Sequence, residues 1–381
     1  MKVPFNQVFY TGEEMEYIKD ALARRELTGD GFYTRQVSSL LEKKFGINKV
    51  LMTTSGTHAL EMAAQLADLK PGDEVIMPSF TFPSTANAVM KQGARPVFAE
   101  IKEDTLNIDP LDIERKITGK TRVIIPVHYA GIGCEMDRIM ELAKMHGLMV
   151  IEDAAQAVNA RYKDRYLGTW GDIGCYSFHG TKNYISGEGG AIAINSSNPI
   201  IIKKAEIIRE KGTNKAQFLR GEVEKYSWVE QGSSYLPSDL LMAFLYAQLN
   251  QLEEIKSRRR IIHDYYTEQL KNYLDSGLIR GITTVPGDCD SNYHLFYLLF
   301  ESEKIRDAVI FKLQRSGISA VIHYIPLHSS TMGRRLGYKA GDLPITEKVS
   351  NCLMRLPLYT GMKKEEMEYV VAKLREIFKE L

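Results

Sequence analysis

The sequence predicts an α/β fold, with a large domain built on a mostly parallel sheet and a smaller C-terminal α+β domain. Seven short apolar runs alternate with helical patterns through the first two-thirds of the 381-residue chain. Strands separated by helices favour a parallel sheet that is covered on both faces. After a long helical pattern, the last third carries its own strands and helices, which indicates a second unit.

The elements follow in chain order. In the large domain, residues 1–250, strands are predicted at 49–53, 74–77, 96–100, 122–127, 148–152, 173–178 and 190–194, and helices at 57–69 and 136–146. A long connecting helix is predicted over 237–274, with Pro237 in its first turn. In the small domain, residues 251–381, strands are predicted at 293–300 and 319–324, and helices at 305–315 and 364–381.

Composition limits the class of partner. The chain has 49 basic and 48 acidic residues, so its net charge of +1 gives no reason to expect nucleic acid or an anionic membrane. No apolar run is long enough to cross a bilayer, and no signal-peptide pattern opens the sequence. The four cysteines are widely spaced and form no metal-binding pattern. We therefore expect a cytoplasmic protein without a metal site.

In a parallel sheet, ligands bind beyond the carboxyl ends of the strands, so the residues after each strand matter most. Thr54, Ser55, Gly56 and Thr57 follow the first strand and lead into a helix. Such a turn offers backbone N–H groups and a positive dipole end to a phosphate. An ordinary N-cap made by Ser55 or Thr57 explains the same residues.

Two further strand ends carry candidate groups. Phe82 could stack on a flat ring, although a single phenylalanine is more often a core residue. Asp153 ends an apolar strand, where an unpaired acid is costly to bury. It could cap a helix or serve as counter-ion to a cationic ligand, and no second ligand nearby supports a metal.

Lys182 lies between a strand and the glycine-rich stretch 187–190. Burial would lower its pKa and free the amine to attack carbonyls, whereas an exposed loop lysine would have no such role. A phosphate cradle, a flat aromatic, an acid and a lysine at the ends of strands in one sheet favour a single ligand. Together they match pyridoxal 5′-phosphate (PLP), a phosphorylated, cationic ring that carries an aldehyde.

The whole sequence resembles the DegT/StrS type of sugar aminotransferases, which have the aspartate-aminotransferase-like fold (PLP fold type I). The motifs that carry the resemblance are at 4–6, 28–31, 71–75, 152–156, 177–182 and 323–328. It implies that Lys182 links covalently to the cofactor and that Asp153 pairs with the pyridinium nitrogen. It also implies that Gln156 lies near the ring hydroxyl and that Phe82 stacks on the ring. The implied phosphate ligands are Gly56, Thr57 and Ser177.

One motif departs from the family pattern. Many relatives have Gly-x-Asn-x-Arg where this chain has Gly-Ser-Ser-Tyr-Leu at 232–236. Ser234 takes the position of the asparagine, which reaches the phosphate of a partner subunit, while Leu236 cannot replace the arginine. This version, with 127–131 and 209–214, resembles the dTDP-4-amino-4,6-dideoxygalactose transaminases.

The resemblance implies a homodimer with shared active sites. It also implies amino transfer from L-glutamate to C4 of the nucleotide-linked sugar dTDP-4-keto-6-deoxyglucose. Three alternatives stay open: a C3-keto sugar, a UDP-linked sugar, or a catalytically silent PLP-fold protein used for binding or regulation. Sugar dehydratases of the same family have histidine at the Lys182 position, which argues against that reaction.

Overall fold

A computed structural model describes residues 1–275 and 277–381 of the chain. The strands are β1 (Lys49–Thr53), β2 (Glu74–Pro78), β3 (Arg95–Ala99), β4 (Thr121–Ile124), β5 (Met149–Asp153), β6 (Arg161–Tyr162), β7 (Arg165–Tyr166), β8 (Ile173–Ser177), β9 (Gly190–Ile194), β10 (Ile279–Ile282), β11 (Cys289–Asp290), β12 (Phe296–Phe300) and β13 (Leu353–Leu356). The helices are α1 (Glu14–Arg24), α2 (Phe32–Phe45), α3 (Gly56–Leu66), α4 (Pro83–Met90), α5 (Pro110–Lys116), α6 (Met136–His146), α7 (Pro199–Arg209), α8 (Lys215–Leu219), α9 (Asp239–Asn250), α10 (Leu252–Leu270), α11 (Asn272–Asp275), α12 (Glu303–Arg315), α13 (Thr331–Arg335), α14 (Pro344–Cys352) and α15 (Lys364–Lys379).

The main sheet has seven strands in the order β1-β9-β8-β5-β4-β2-β3. Six strands run in one direction, and only β9 is antiparallel to both of its neighbours. The prediction of a mostly parallel seven-stranded sheet is confirmed. Strand β4 ends at Ile124, earlier than predicted, and Pro126 just beyond it has no N–H with which to continue the ladder.

Both faces of this sheet are covered. Side chains alternate along β1, so Val50 and Met52 join a core cluster on one face while Leu51 joins another on the opposite face. Helices α1, α2, α6 and α9 contribute to the first cluster, and α3, α4 and α7 to the second. The carboxyl ends of the parallel strands remain uncovered by these layers, and the predicted site residues lie there.

The prediction of a single long helix over 237–274 is wrong. Helix α9 ends at Asn250, and Gln251 leaves helical geometry with φ −108° and ψ 24° before α10 begins. Its amide bonds back three residues to Gln248, as in a tightened last turn. Pro237 lies outside α9, because the Ser238 side chain caps the helix by accepting from Leu240 N.

The small sheet also differs from the prediction. Its order is β10-β12-β13, and it is antiparallel throughout. Residues 319–324 do not form a strand: they make only one bridge, in which Val321 and Arg355 exchange backbone hydrogen bonds of 3.2 and 2.8 Å. Strands β10 and β13 were missed, because each is only four residues long and is interrupted by an arginine, so neither shows a continuous apolar run.

A separate apolar cluster joins α10, α12 and α15 to the small sheet, and it includes Val3 from the start of the chain. The boundary near residue 250 stays a prediction. Within the described residues, no helix is long and apolar enough to cross a membrane.

Candidate active site

A cavity of about 720 Å³ opens at the carboxyl edge of the main sheet. It brings together seven of the eight residues that the sequence predicted: Gly56, Thr57, Phe82, Asp153, Gln156, Ser177 and Lys182. The eighth, Ser234, is exposed outside it and forms an isolated bridge with Glu210. The single chain therefore assembles most of the predicted site but does not bring Ser234 into it.

The start of α3 forms one wall of the cavity. Ser55 is the N-cap and accepts a hydrogen bond from the amide three residues later. The amides of Gly56 and Thr57, in the first turn, have no helical acceptor and are available to an anion. A Cβ on Gly56 would lie 2.8 Å from the Ser177 Cβ, so only glycine lets β8 end against the helix. The capping role predicted for Ser55 and the phosphate cradle are thus compatible.

Asp153 ends β5 and is 5% exposed. The Thr85 hydroxyl donates to its Oδ2 at 2.8 Å, and the Ala155 amide donates to its Oδ1 at 3.2 Å. Burial raises the pKa of Asp153, and these hydrogen bonds and the Lys182 charge oppose that rise. No helix begins at this point, so the capping alternative fails. A buried carboxylate held in this way is suited to a cationic ligand.

Lys182 lies in the connection between β8 and β9, where its amide donates to His179 O in a tight turn. Burial lowers its pKa from 10.5 to about 8; Asp153 opposes this effect and the charge of Arg355 adds to it. At pH 7, about one amine in ten with this pKa is unprotonated and able to attack a carbonyl, a far larger share than for an ordinary lysine. The alternative of a solvated loop lysine is therefore not what the structure shows.

Phe82 precedes α4 and is 57% exposed, although it lines the cavity. It is not the core residue that the alternative supposed. Gln156 has a fixed orientation: its Oε1 accepts from Ala130 N at 2.8 Å, and its Nε2 donates to the Tyr324 hydroxyl at 3.0 Å. An aromatic face and an oriented amide thus border the same space.

A buried polar network beneath the site was missed. His128 Nδ1 accepts from Cys134 N at 3.2 Å, so Nε2 carries the hydrogen and donates to Glu152 at 2.9 Å. The Glu152 carboxylate also accepts from the amides of Gly168 and Gly171, both at 2.7 Å. A second acid, one residue before the end of the apolar strand β5, was the only sequence signal for this network, which braces the strand that ends at Asp153.

The far wall of the cavity comes from the last third of the chain. His323, Tyr324 and Arg355 line it, and the Tyr129 hydroxyl lies 3.0 Å from His323 Nδ1. Motif 323–328 contributed to the family resemblance, but Arg355 was missed altogether. Its sequence neighbours are apolar, and nothing in them indicates that it points toward a lysine more than 170 positions earlier.

Pyridoxal 5′-phosphate matches this cavity group by group. The α3 amides suit its phosphate, Asp153 its ring nitrogen, Phe82 its flat face and Lys182 its aldehyde. Gly56, where a Cβ would clash with Ser177, and Asp153, which is buried without an ion pair among the described residues, both suit such a ligand. With the seven-stranded sheet, they define the class: a PLP-dependent enzyme of fold type I.

Comparison with known proteins gives the family. The profile of the DegT/DnrJ/EryC1/StrS aminotransferase family matches residues 10–375, and the chain belongs to that family. The spore coat polysaccharide biosynthesis protein SpsC of Bacillus subtilis (strain 168) is 32% identical over 388 residues, 99% of this chain and 97% of that protein. GDP-perosamine synthase of Escherichia coli O157:H7 is 28% identical over 385 residues, 99% of this chain and 98% of that protein.

A solved structure supports the same fold and enzyme class. The PLP form of the putative sugar aminotransferase Spr1654 from Streptococcus pneumoniae superimposes with a TM-score of 0.91 at 26% identity, covering 100% of this chain and 99% of that one. The predicted fold, enzyme class and cofactor are confirmed: the chain is a PLP-dependent sugar aminotransferase.

Proposed function

We propose that this enzyme transfers the amino group of L-glutamate to C4 of dTDP-4-keto-6-deoxy-D-glucose, giving dTDP-4-amino-4,6-dideoxy-D-galactose. The observation that carries the transfer chemistry is Lys182, with its lowered pKa, in one cavity with buried Asp153. The choice of sugar depends on the resemblance of 127–131, 209–214 and 232–236 to the C4 subgroup.

Two of these segments pack together in the structure. Glu210 bridges Ser234, and Lys211 N donates to Ser233 O at 2.9 Å. The next residue, Tyr235, accepts from Thr54 N at 2.9 Å, which ties the motif to the loop before the phosphate cradle. Residues that define the subgroup therefore lie beside the cofactor region.

We propose the following roles. The amides of Gly56 and Thr57, with the Ser177 hydroxyl, anchor the phosphate, while Phe82 covers one face of the ring. When bound, PLP supplies an aldehyde that captures amines and a cationic ring that withdraws electrons from the reacting carbon. Asp153 keeps the ring nitrogen protonated, because an adjacent anion favours the charged form. The Gln156 amide, held by Ala130 and Tyr324, orients the ring hydroxyl.

Lys182 has two tasks. Its amine holds the cofactor between turnovers, and once displaced by the donor it moves a proton away from the substrate α-carbon as general base and acid. Glutamate would react first, leaving its amino group with the bound cofactor and departing as 2-oxoglutarate, and the keto-sugar would then enter and receive that amino group, with Lys182 moving the proton in the opposite direction. Ping-pong kinetics follow from this order.

We further propose a homodimer in which Ser234 reaches the phosphate of the partner subunit. Its exposure in the single chain, next to the cradle but outside the cavity, supports this arrangement. The four cysteines are free thiols, and we propose the reducing cytoplasm as the place of action.

The deciding experiment is a turnover assay with PLP, L-glutamate and dTDP-4-keto-6-deoxyglucose, in which NMR identifies the sugar product. An axial 4-amino group supports the proposal, and an equatorial one contradicts the subgroup. Lys182→Ala should abolish turnover, while Asp153→Ala should retain some PLP but lose most of the rate. Near-normal activity of Lys182→Ala would overturn the assignment.

A GDP-linked keto-sugar is the second candidate, because GDP-perosamine synthase is similar to this chain over nearly its whole length. Conversion of the cofactor by glutamate without any dTDP-sugar product would favour this candidate, and the GDP-linked and UDP-linked substrates would then be assayed in turn.

A further inference from the structure

Arg355 is a cation without an anionic partner in the wall of the cavity. Its Nε is shut off from solvent and has no hydrogen-bond partner. The only contacts that engage its guanidinium within the described residues are a long hydrogen bond of 3.5 Å to Ile322 O and the Phe5 ring, whose centroid lies 4.7 Å away. The ionisable groups that act on its pKa are the hydroxyls of Tyr129 and Tyr324, not a carboxylate.

The backbone at Arg355 is held from both sides. It pairs with Tyr297 in the small sheet and exchanges two hydrogen bonds with Val321 on its other edge. The Phe5 ring limits the directions that the guanidinium plane can take. A half-buried arginine in a rigid position, with donors left over, is prepared for a planar two-oxygen anion.

Arg259, a fully buried arginine in the wall of the same cavity, shows the contrast. Arg259 donates to the carbonyl oxygens of Tyr293 and His294, at 3.0 and 2.6 Å, and more weakly to Leu358 O at 3.3 Å. Its donors are used by the fold, so it acts as a structural brace. The donors of Arg355 are largely unused, and its Nε, which is shut off from solvent, is costly to leave without an acceptor unless a ligand supplies one.

We propose that Arg355 binds a carboxylate of the amino-acid donor, an inference that rests on the proposed aminotransferase function. Arg355 lies close enough to Lys182 for its charge to lower the pKa of that amine. In an amino acid, the α-carboxylate is attached to the carbon whose amine must reach the cofactor. In a nucleotide sugar, the diphosphate is separated from C4 by the width of the sugar ring. A cation near Lys182 therefore fits the donor better than the sugar nucleotide.

The test compares the PLP-loaded wild-type enzyme with Arg355→Gln, Arg355→Lys and Arg280→Gln. Arg280 is the matched control, since it lies on the opposite edge strand of the same sheet and pairs with Glu103 at 2.8 Å outside the cavity. Calorimetry measures the binding of glutarate, a dicarboxylate that cannot react. Stopped-flow absorbance measures the glutamate and keto-sugar half-reactions separately.

We expect Arg355→Gln to weaken glutarate binding and raise the glutamate concentration at half-maximal rate by about 10- to 100-fold, the usual effect of losing a charged hydrogen-bonded pair. The sugar half-reaction should change by less than about threefold, and Arg280→Gln should match the wild type in both. Arg355→Lys should recover only part of the glutarate affinity, because an ammonium lacks the two-pronged geometry.

Unchanged glutarate binding in both Arg355 variants would overturn the inference, and so would a loss confined to the sugar half-reaction, which would assign Arg355 to the diphosphate. If glutamate fails to convert the wild-type cofactor, the proposed donor is wrong. Glutarate binding that still depends on Arg355 would in that case support a carboxylate site for another donor.

Discussion

Lys182 carries a stability cost that can be measured without any substrate. In the cofactor-free protein, burial lowers its pKa from 10.5 to about 8. At 1.36 kcal/mol per pKa unit, this gap corresponds to about 3 kcal/mol of folding free energy. Lys182→Met removes this charge, so the cofactor-free variant should be more stable than the wild type at pH 7. The figure is a ceiling, since the half-buried Lys182 side chain keeps some contact with solvent and the substitution also deprives Asp153 of a nearby cation.

The pH dependence follows from the direction of this pKa change. Below about pH 8 the Lys182 amine is protonated in both the folded and the unfolded protein, so the folded state bears the full free-energy cost of burying the charge. Between pH 8 and 10.5 the folded state releases its proton first, so stability rises with pH. The advantage of Lys182→Met should therefore shrink steadily above pH 8 and vanish above 10.5.

Urea unfolding of the cofactor-free proteins from pH 6.5 to 10 measures this difference, with Lys225→Met as the control because Lys225 is exposed. A Lys182→Met variant no more stable than the wild type at pH 7 would refute the reasoning.

The same pKa predicts that the rate of PLP capture by the wild-type protein rises with pH to a midpoint near 8. A rate of PLP capture that does not depend on pH in this range would mean that the pKa of the Lys182 amine is not lowered.

Three further substitutions test two residues of the proposed cofactor site and one buried anchor of the fold. Thr85→Val removes the hydroxyl that donates to Asp153, so PLP affinity should fall about 10-fold or more, measured by absorbance titration; unchanged affinity would contradict the counter-ion role. Gly56→Ala places a Cβ 2.8 Å from Ser177 Cβ and should cost about 1–3 kcal/mol in urea unfolding, with weaker PLP binding; wild-type PLP affinity would argue against the cradle. Asp239→Asn disturbs a buried carboxylate that accepts from two amides and a hydroxyl at the start of α2. It should cost about 2–4 kcal/mol without changing PLP contacts, and a loss below about 1 kcal/mol would show that this anchor is unimportant.

The main sheet and the wall of the cavity that lies at its strand ends could be predicted from the sequence, because both depend on local patterns. Apolar runs of five residues between helices specify parallel strands, and their carboxyl ends meet at one edge whatever the details of packing. Gly56, Asp153 and Lys182 could therefore be placed near one another from their positions after strands. The family motifs then identified the cofactor that these groups hold.

Where prediction failed, either the apolar pattern gave no sign of the change or the deciding interaction joined residues far apart in the chain. The break at Gln251 depends on how the last turn of α9 closes, and the apolar pattern continues through it. The edge strand β13 is specified by its pairing with β12 across more than 50 positions. The register that places Arg355 in the cavity belongs to the same pairing.

The sequence by itself determined the fold class and the cofactor, and it pointed to Lys182 as the residue proposed to hold that cofactor, since strand-end chemistry and motif order survive without knowledge of packing. Only the tertiary structure decided that Lys182 is buried enough to lower its pKa, that Ser55 caps while Gly56 stays open, and that Arg355 lines the cavity with no anionic partner among the described residues. These properties depend on desolvation and on contacts between residues far apart in the chain, and both arise only when the chain is folded.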